Sequence, residues 1–333
     1  MDKTAAIVLA AGQGTRMQSK LVKVLHPLAG LEMIGHVVRN VRSAAFKRVV
    51  VVVGYQGEKV EAVLKDVVTV KQEQQLGTGH AVNQCRQALA GYEGPVLVTY
   101  GDTPLFRAES FQRLLAYHKK TKASATVLTA LVTDPKGYGR ILRDKEGNVV
   151  GIVEEKDASE EEQKIKEINT GTYCFQSGLL FEYLAQLTPD NVQGEYYLPD
   201  VVPLFISGGQ KVAGCVLEDA QESMGVNDRI QLAEAESILR DRIAHSWMKR
   251  GVTLIDPKTT WIESDCIIGK DTTIYPQTYL QKGSVVGSNC RIGPNCRLEA
   301  ARIGDGVVME NTVVLGKSVK AGSKIMPFTF LTK

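Results

Sequence analysis

Long apolar runs are missing from this 333-residue chain, and none reaches the length that a membrane span requires. The apolar stretch near the start, Ala5 to Ala11, is too short for a signal peptide of the usual build. It ends in Gly12-Gln13-Gly14 rather than a small-residue cleavage site, so secretion is not expected. Cysteines number six (85, 174, 215, 266, 290 and 296), and none forms a Cys-x-x-Cys pair. That spacing argues against a zinc site or a disulfide frame, and the thiols read as small buried side chains in a reducing compartment. A cytoplasmic location is expected. A long basic stripe is also absent: 40 basic against 37 acidic side chains leave a net charge of +3. No nucleic-acid partner is therefore expected, although a local basic site for phosphates is compatible with the balance. The five histidines lack metal-ligand spacing, and His26 and His80 read as structural. What remains is ordinary composition, 44% apolar and 23% charged, in a chain long enough for two domains.

Residues 1–226 alternate short β-branched runs with amphipathic stretches. Ala6–Leu9, Val49–Val53 and Val96–Thr99 read as strands, while Ile34-x-x-Val37-Val38-x-x-Val41 and Phe111-x-x-Leu114-Leu115 read as helices. Such alternation predicts an α/β domain, a mostly parallel sheet with helices on both faces, and ligands at the carboxyl ends of its strands. Residues 227–250 carry a helical pattern that reads as a linker. From 251 to 333 the helical period stops and aliphatic residues recur every six positions: Ile262, Ile268, Ile274, Leu280, Val286, Ile292 and Leu298. One five-residue step follows, after which the frame is expected to resume at Ile303, Met309, Leu315 and Ala321. A six-residue period fits a parallel β-helix with flat sides of short strands better than a sandwich.

The strongest local signal is Leu9-Ala10-Ala11-Gly12-Gln13-Gly14-Thr15-Arg16-Met17, followed by Lys23, directly after the first strand. Small residues let a ligand approach the backbone, successive N–H groups can hold phosphate oxygens, and Arg16 and Lys23 add positive charge. A dinucleotide fingerprint begins with Gly12-x-Gly14 but finds Met17 where its third glycine belongs, and no Walker lysine follows. Asp102 lies just beyond the Val96–Thr99 strand, where a carboxylate serves either as a hard-cation ligand or as a cap, since Thr103-Pro104 follows.

Gly-x-Gly-Thr-Arg-Met followed by Lys resembles the signature of nucleotidylyltransferases that join a nucleoside triphosphate to a sugar phosphate. More narrowly, the chain resembles the uridylyltransferase half of the bacterial bifunctional N-acetylglucosamine-1-phosphate uridylyltransferase / glucosamine-1-phosphate N-acetyltransferase family. The likeness runs through Gln72–Ala81, Tyr100–Leu105, Gly137–Ile141, Glu167–Gly171, Gly194–Tyr197, Gly225–Asn227 and the hexapeptide tail. It implies a Rossmann-like nucleotidyltransferase domain and a short left-handed β-helix that forms homotrimers. The implied reaction is UTP with N-acetylglucosamine-1-phosphate giving UDP-N-acetylglucosamine and pyrophosphate, for peptidoglycan and lipopolysaccharide precursors.

By the same resemblance, Leu9, Ala10, Ala11, Gly12 and Gly14 receive the nucleotide, with Arg16 and Lys23 catalytic. Gln72, Gly77 and Thr78 form the uracil segment, where Gly77 would permit close approach of the base. Tyr100 and Gly101 line the site beside Asp102, which with Asn227 would hold Mg²⁺. Gly139, Glu154 and Asn169 hold the N-acetyl sugar. Tyr196 and Tyr197 either line the sugar pocket or belong to the core. No segment matches the family's acetyltransferase motifs, so no glucosamine-1-phosphate acetylation is expected. A related enzyme for another sugar-1-phosphate and a non-catalytic trimeric scaffold are the alternative readings.

Overall fold

The computed structural model describes residues 4–191 and 193–332. The expected domain ends at 1 and 333 therefore lie outside the described residues. The chain folds as two compact units: residues up to His26 together with Met33–Arg229, and Pro27–Glu32 together with residues from Ile230 onward.

The first unit is built on one mixed sheet. The strands Arg48–Val53, Ala5–Ala10 and Pro95–Tyr100 lie side by side and parallel, with Val68–Lys71 beyond Arg48–Val53. On the other side, Glu167–Gln176 runs antiparallel between Pro95–Tyr100 and Ala125–Leu131. Val212–Val216 then extends Ala125–Leu131 in parallel. The short Arg140–Arg143 and Val149–Val153 strands branch from Glu167–Gln176. The sheet is thus mostly parallel, as expected, and the three runs picked out in the sequence are its neighbouring central strands.

Their continuous apolar character has a direct cause. Ile7, Leu9, Val50, Val52, Val96 and Val98 bury into one layer, while Ala6, Val8, Val49, Val51 and Leu97 bury into the other. A strand covered on both faces has no polar side to show, so alternation disappears. The helices Thr78–Asn83, Ser177–Leu184 and Val201–Ser207 cover the first face, and Met33–Ser43 and Ala108–Thr121 cover the second. Each fully buried aliphatic side chain contributes about 1.5–3 kcal/mol relative to exposure.

In the second unit, the helix Arg229–Lys249 leads into a three-sided parallel β-helix. The hairpin Pro27–Glu32 belongs with this unit: the Ala29 N–H donates to Glu236 Oε2 at 2.7 Å, and the Ala29 carbonyl accepts from Ser264 N at 2.9 Å. The inward aliphatic row runs as expected from Ile262 to Met309, all buried. Beyond Met309 the expectation fails, because Val314 and Val319 are the buried residues while Leu315 is half-buried and Ala321 exposed.

The reason is two further five-residue steps, Met309 to Val314 and Val314 to Val319, which shorten the coils they fall in. Ile262 stacks on Leu280 and Leu280 on Leu298, 18 residues apart. Val286 stacks on Ile303, 17 apart, and Ile303 on Val319, 16 apart. A second inward row lies two positions before the first: Thr260, Cys266, Thr272, Thr278, Ser284, Cys290, Cys296, Ala301, Val307 and Thr312. Corners bring three sides together and leave room only for small side chains there. That row takes in three of the six cysteines, and all six are free and buried, as expected.

Candidate active site

Parallel strands end where the ligand loops begin. The Ala5–Ala10 strand ends in Ala11 and Gly12, the Pro95–Tyr100 strand in Gly101 and Asp102, and these ends lie side by side. The Gly101 N–H donates to the Leu9 carbonyl at 2.9 Å, and a Cβ on Gly101 would strike Ile34 at 2.7 Å. Gly14 takes φ +64, and a Cβ there would meet Lys23 Cβ at 2.4 Å. Glycine at that turn lets Lys23, on its own short 3₁₀ turn, pack against the loop. At Gly12 a Cβ would meet nothing within 4 Å, so no protein atom demands glycine.

These elements enclose a cavity of about 310 Å³. Its lining includes Leu9, Ala10, Ala11, Gly12, Lys23, Gln72, Gly77, Thr78, Tyr100 and Asp102. Ten residues marked in the sequence thus come together. Lys23 Nζ contacts Asp102 Oδ2 and donates to Asn227 Oδ1 at 3.2 Å. One ammonium therefore bridges the two oxygens expected to hold a cation. Asp102 caps no helix, since the next begins at Ala108. Arg16 is exposed on the Thr15–Met17 turn, lines neither cavity, and pairs with no carboxylate among the described residues.

A second cavity, of about 390 Å³, shares Thr78 and Tyr100 with the first and continues past Gly137, Glu154, Asp157, Asn191 and Tyr197. The Glu154 carboxyl is held above the usual carboxylate range, first by burial and then by the negative charges of Asp200 and Asp157, with Arg140 opposing. Gly139 faces Glu154, where a Cβ would come within 2.9 Å of its Oε1, and the Gly139 carbonyl accepts from Asn169 N at 2.8 Å. Asn169 is buried, its Oδ1 accepting from Gly171 N and from the Tyr173 hydroxyl, both at 3.0 Å. Arg140, 2% exposed, pairs with Glu155 at 2.6 Å, and Glu155 also accepts from Gly137 N.

Several lining groups escaped the sequence reading. Gln75 donates to the Ala11 carbonyl at 3.0 Å and lines the first cavity with Glu195, while Asp157 and Asn191 line the second. Tyr197 lines the second cavity and so is not a core residue. Gly77 has φ +108, and a Cβ there would strike the Tyr196 backbone oxygen at 2.6 Å. The close approach it permits is first of all to the chain itself, through Tyr196 N to Leu76 O and Gly79 N to Tyr196 O.

A MobA-like NTP transferase domain matches residues 6–192, and bacterial transferase hexapeptide repeats, six of them, match residues 265–300. The chain is 45% identical to the bifunctional protein GlmU of Halalkalibacterium halodurans over 99% of its own length and 73% of that protein's. It is 47% identical to the protein of the same name from Brevibacillus brevis, over 99% of the chain and 72% of the relative. For the Listeria welshimeri protein the figures are 48%, 99% and 73%. Among solved structures, UDP-glucose pyrophosphorylase complexed with UDP-glucose covers 73% of this chain and 100% of its own, with a TM-score of 0.59 at 18% identity, a likeness of fold.

Proposed function

The chain belongs to the bifunctional GlmU family, and from that membership we infer that it transfers the uridylyl group of UTP to N-acetylglucosamine-1-phosphate, giving UDP-N-acetylglucosamine and pyrophosphate. It is a UDP-N-acetylglucosamine pyrophosphorylase, and its product serves cell-wall synthesis. The observation that carries the reading is the pair of cavities meeting at Thr78 and Tyr100, with Lys23, Asp102 and Asn227 clustered at the first. A nucleotide and a sugar phosphate need such adjoining rooms with positive charge beside the reacting phosphates.

The sugar phosphate is already an anion, so its attack on the α-phosphorus of UTP requires no general base. Catalysis then consists of positioning and of neutralising charge as pyrophosphate departs. The Leu9–Gly12 segment receives the nucleoside and phosphates. The open space at Gly12 is compatible with this role, because no protein atom crowds the backbone where a ligand would approach. Lys23 attends the phosphates at the reacting centre, and Arg16 attends the leaving pyrophosphate from its exposed turn. Gly139, Glu154 and Asn169 receive the N-acetyl sugar, with Glu154 accepting from its hydroxyls.

Asp102 and Asn227 offer hard oxygen donors, and the ammonium already between them supports the fit of a cation. Mg²⁺ held by these two residues would neutralise phosphate charge. Homotrimerisation through the β-helix fits its hexapeptide character and the exposed apolar side chains Ile267 and Val308. Among the described residues no helix is long and apolar enough to cross a membrane.

The test is pyrophosphate release with UTP, Mg²⁺ and a panel of sugar-1-phosphates, with and without EDTA. Metal-dependent release with N-acetylglucosamine-1-phosphate is expected. Release with another sugar alone would overturn the substrate, and none with any sugar from folded protein would overturn the activity.

A further inference from the structure

Gln72 is 4% exposed and lines the first cavity, with its backbone N–H tied to the Val53 carbonyl. Its carboxamide nitrogen makes two hydrogen bonds: one to the Gly77 carbonyl at 3.1 Å, the other to His80 Nδ1 at 2.9 Å. A backbone carbonyl only accepts, so the first bond fixes which end of the amide is nitrogen. The second proton must then find a lone pair, and His80 Nδ1 supplies it.

The other ring nitrogen then carries the proton. His80 Nε2 lies 3.0 Å from the amide of Gln84, whose nitrogen also reaches the His80 carbonyl at 3.2 Å. Two amide nitrogens cannot both donate to one neutral imidazole. Gln84, half-buried, can turn its oxygen to the Nε2 proton; this also sets that oxygen near the His80 carbonyl, but at a site open enough for the side chain to shift and for water to take up the carbonyl. Gln72 is buried, and its turning would set its oxygen against the Gly77 carbonyl. The network therefore resolves with Gln72 fixed and Gln84 turned. No protein donor among the described residues meets Gln72 Oε1, the polar atom left for an occupant of the cavity.

We propose that His80 is a positioning residue for base choice: by accepting from Gln72, it holds that carboxamide with its oxygen toward the base. The inference rests on the reading of this cavity as the uridine site. Uracil has a single ring N–H, at N3, flanked by two carbonyl acceptors, so an acceptor from the protein must meet N3–H. Cytosine has a lone pair at N3, and the same oxygen then faces another acceptor, leaving both unpaired. An oxygen held in this sense favours uracil, and an amide free to turn over gives up that preference.

The experiment compares kcat/KM for UTP and CTP in the full chain, each with N-acetylglucosamine-1-phosphate. His80→Ala leaves Gln72 with one anchor, and the UTP-to-CTP ratio falls by roughly tenfold or more. His80→Asn, whose side-chain oxygen can accept at the place of Nδ1, restores most of the ratio. A merely structural role would lower both rates together and leave the ratio unchanged, which overturns the proposal. Gln72→Ala separates the layers: if it too leaves the ratio unchanged, the reading of Gln72 as a base contact is what fails. In the unsubstituted chain, ¹⁵N-detected histidine spectra assigned through His80→Asn should show the proton on Nε2. A proton on Nδ1 overturns the proposal without recourse to activity or to the folding of a variant.

Discussion

The Tyr173 hydroxyl donates to Asn169 Oδ1 at 3.0 Å from the same strand, so the oxygen of the Asn169 amide is spoken for and its nitrogen is the group left to donate. Tyr173 is fully buried and lines neither of the two cavities. Tyr173→Phe leaves the amide oxygen with the Gly171 N–H as its one anchor and loosens the side chain. The KM for the sugar phosphate should rise by about three- to tenfold, in line with one hydrogen bond of about 0.5–1.5 kcal/mol, while kcat and the KM for UTP stay near their original values. Steady-state kinetics with each substrate varied in turn decides it. An equal rise in both KM values would point to general loosening.

Lys23 places an ammonium against Asp102 and Asn227, the two proposed metal ligands. Lys23→Met removes that competitor, so Mg²⁺ alone should bind the ligand-free chain more tightly, by on the order of tenfold. Turnover should nonetheless drop steeply, because the phosphates lose the ammonium. Calorimetric titration of the metal and pyrophosphate release provide the two readouts. Weaker metal binding in the variant would contradict the expectation.

Glu154 is held protonated to higher pH than an ordinary carboxyl, first by burial and next by Asp200. If it accepts from sugar hydroxyls as proposed, it does so as a carboxylate, and the KM for the sugar phosphate should rise as pH falls through this raised pKa. Asp200→Asn removes a repelling charge, lowers the pKa of Glu154, and should move that rise to lower pH. The sign for stability is opposite. The folded chain holds the Glu154 proton more tightly than the unfolded one, so stability is lost as pH rises through the folded pKa. Glu154→Gln should therefore be more resistant to urea at neutral pH, though poor in sugar binding.

Arg140 is buried with Glu155 as its carboxylate partner. Glu155→Ala takes away that carboxylate, leaves the guanidinium only the Tyr138 and Gln163 carbonyls, and should lower the urea midpoint of the full chain. Arg140→Met combined with Glu155→Ala should recover part of the loss, since a neutral side chain carries no stranded charge. A double variant no more stable than Glu155→Ala would count against the buried charge as the cause.

The strands and loops around Gly12 were legible because local physics writes them: runs buried on both faces, a glycine turn, a lysine after it. The Lys23–Asp102 contact was not, because it joins residues 79 apart through strand order, which no local pattern encodes. Asn169 was readable as polar at a strand, but Tyr173 was not linked to it. The two share a face across an irregularity at Asn169/Thr172, where Gly171 has φ +75. The β-helix frame went astray after Met309 because Leu315 and Ala321 are plausible aliphatics at the old spacing. The row of small residues, stepping from Ala301 to Val307 to Thr312, carries the corrected frame two positions early. His80 looked inert because its chemistry passes through the amide of Gln72.

Coil spacings of 18, 17 and 16 residues make the β-helix a prism of unequal rungs rather than a stack of equal ones. Its rungs are consequently not interchangeable parts. A coil spliced from Ile262–Leu280 into the place of Ile303–Val319 would arrive two residues too long for its neighbours and would have to bulge at a corner. A graft in the opposite direction would leave a side unspanned. Each rung is fitted to its own storey, and the order of the repeats is as much a part of the fold as their consensus.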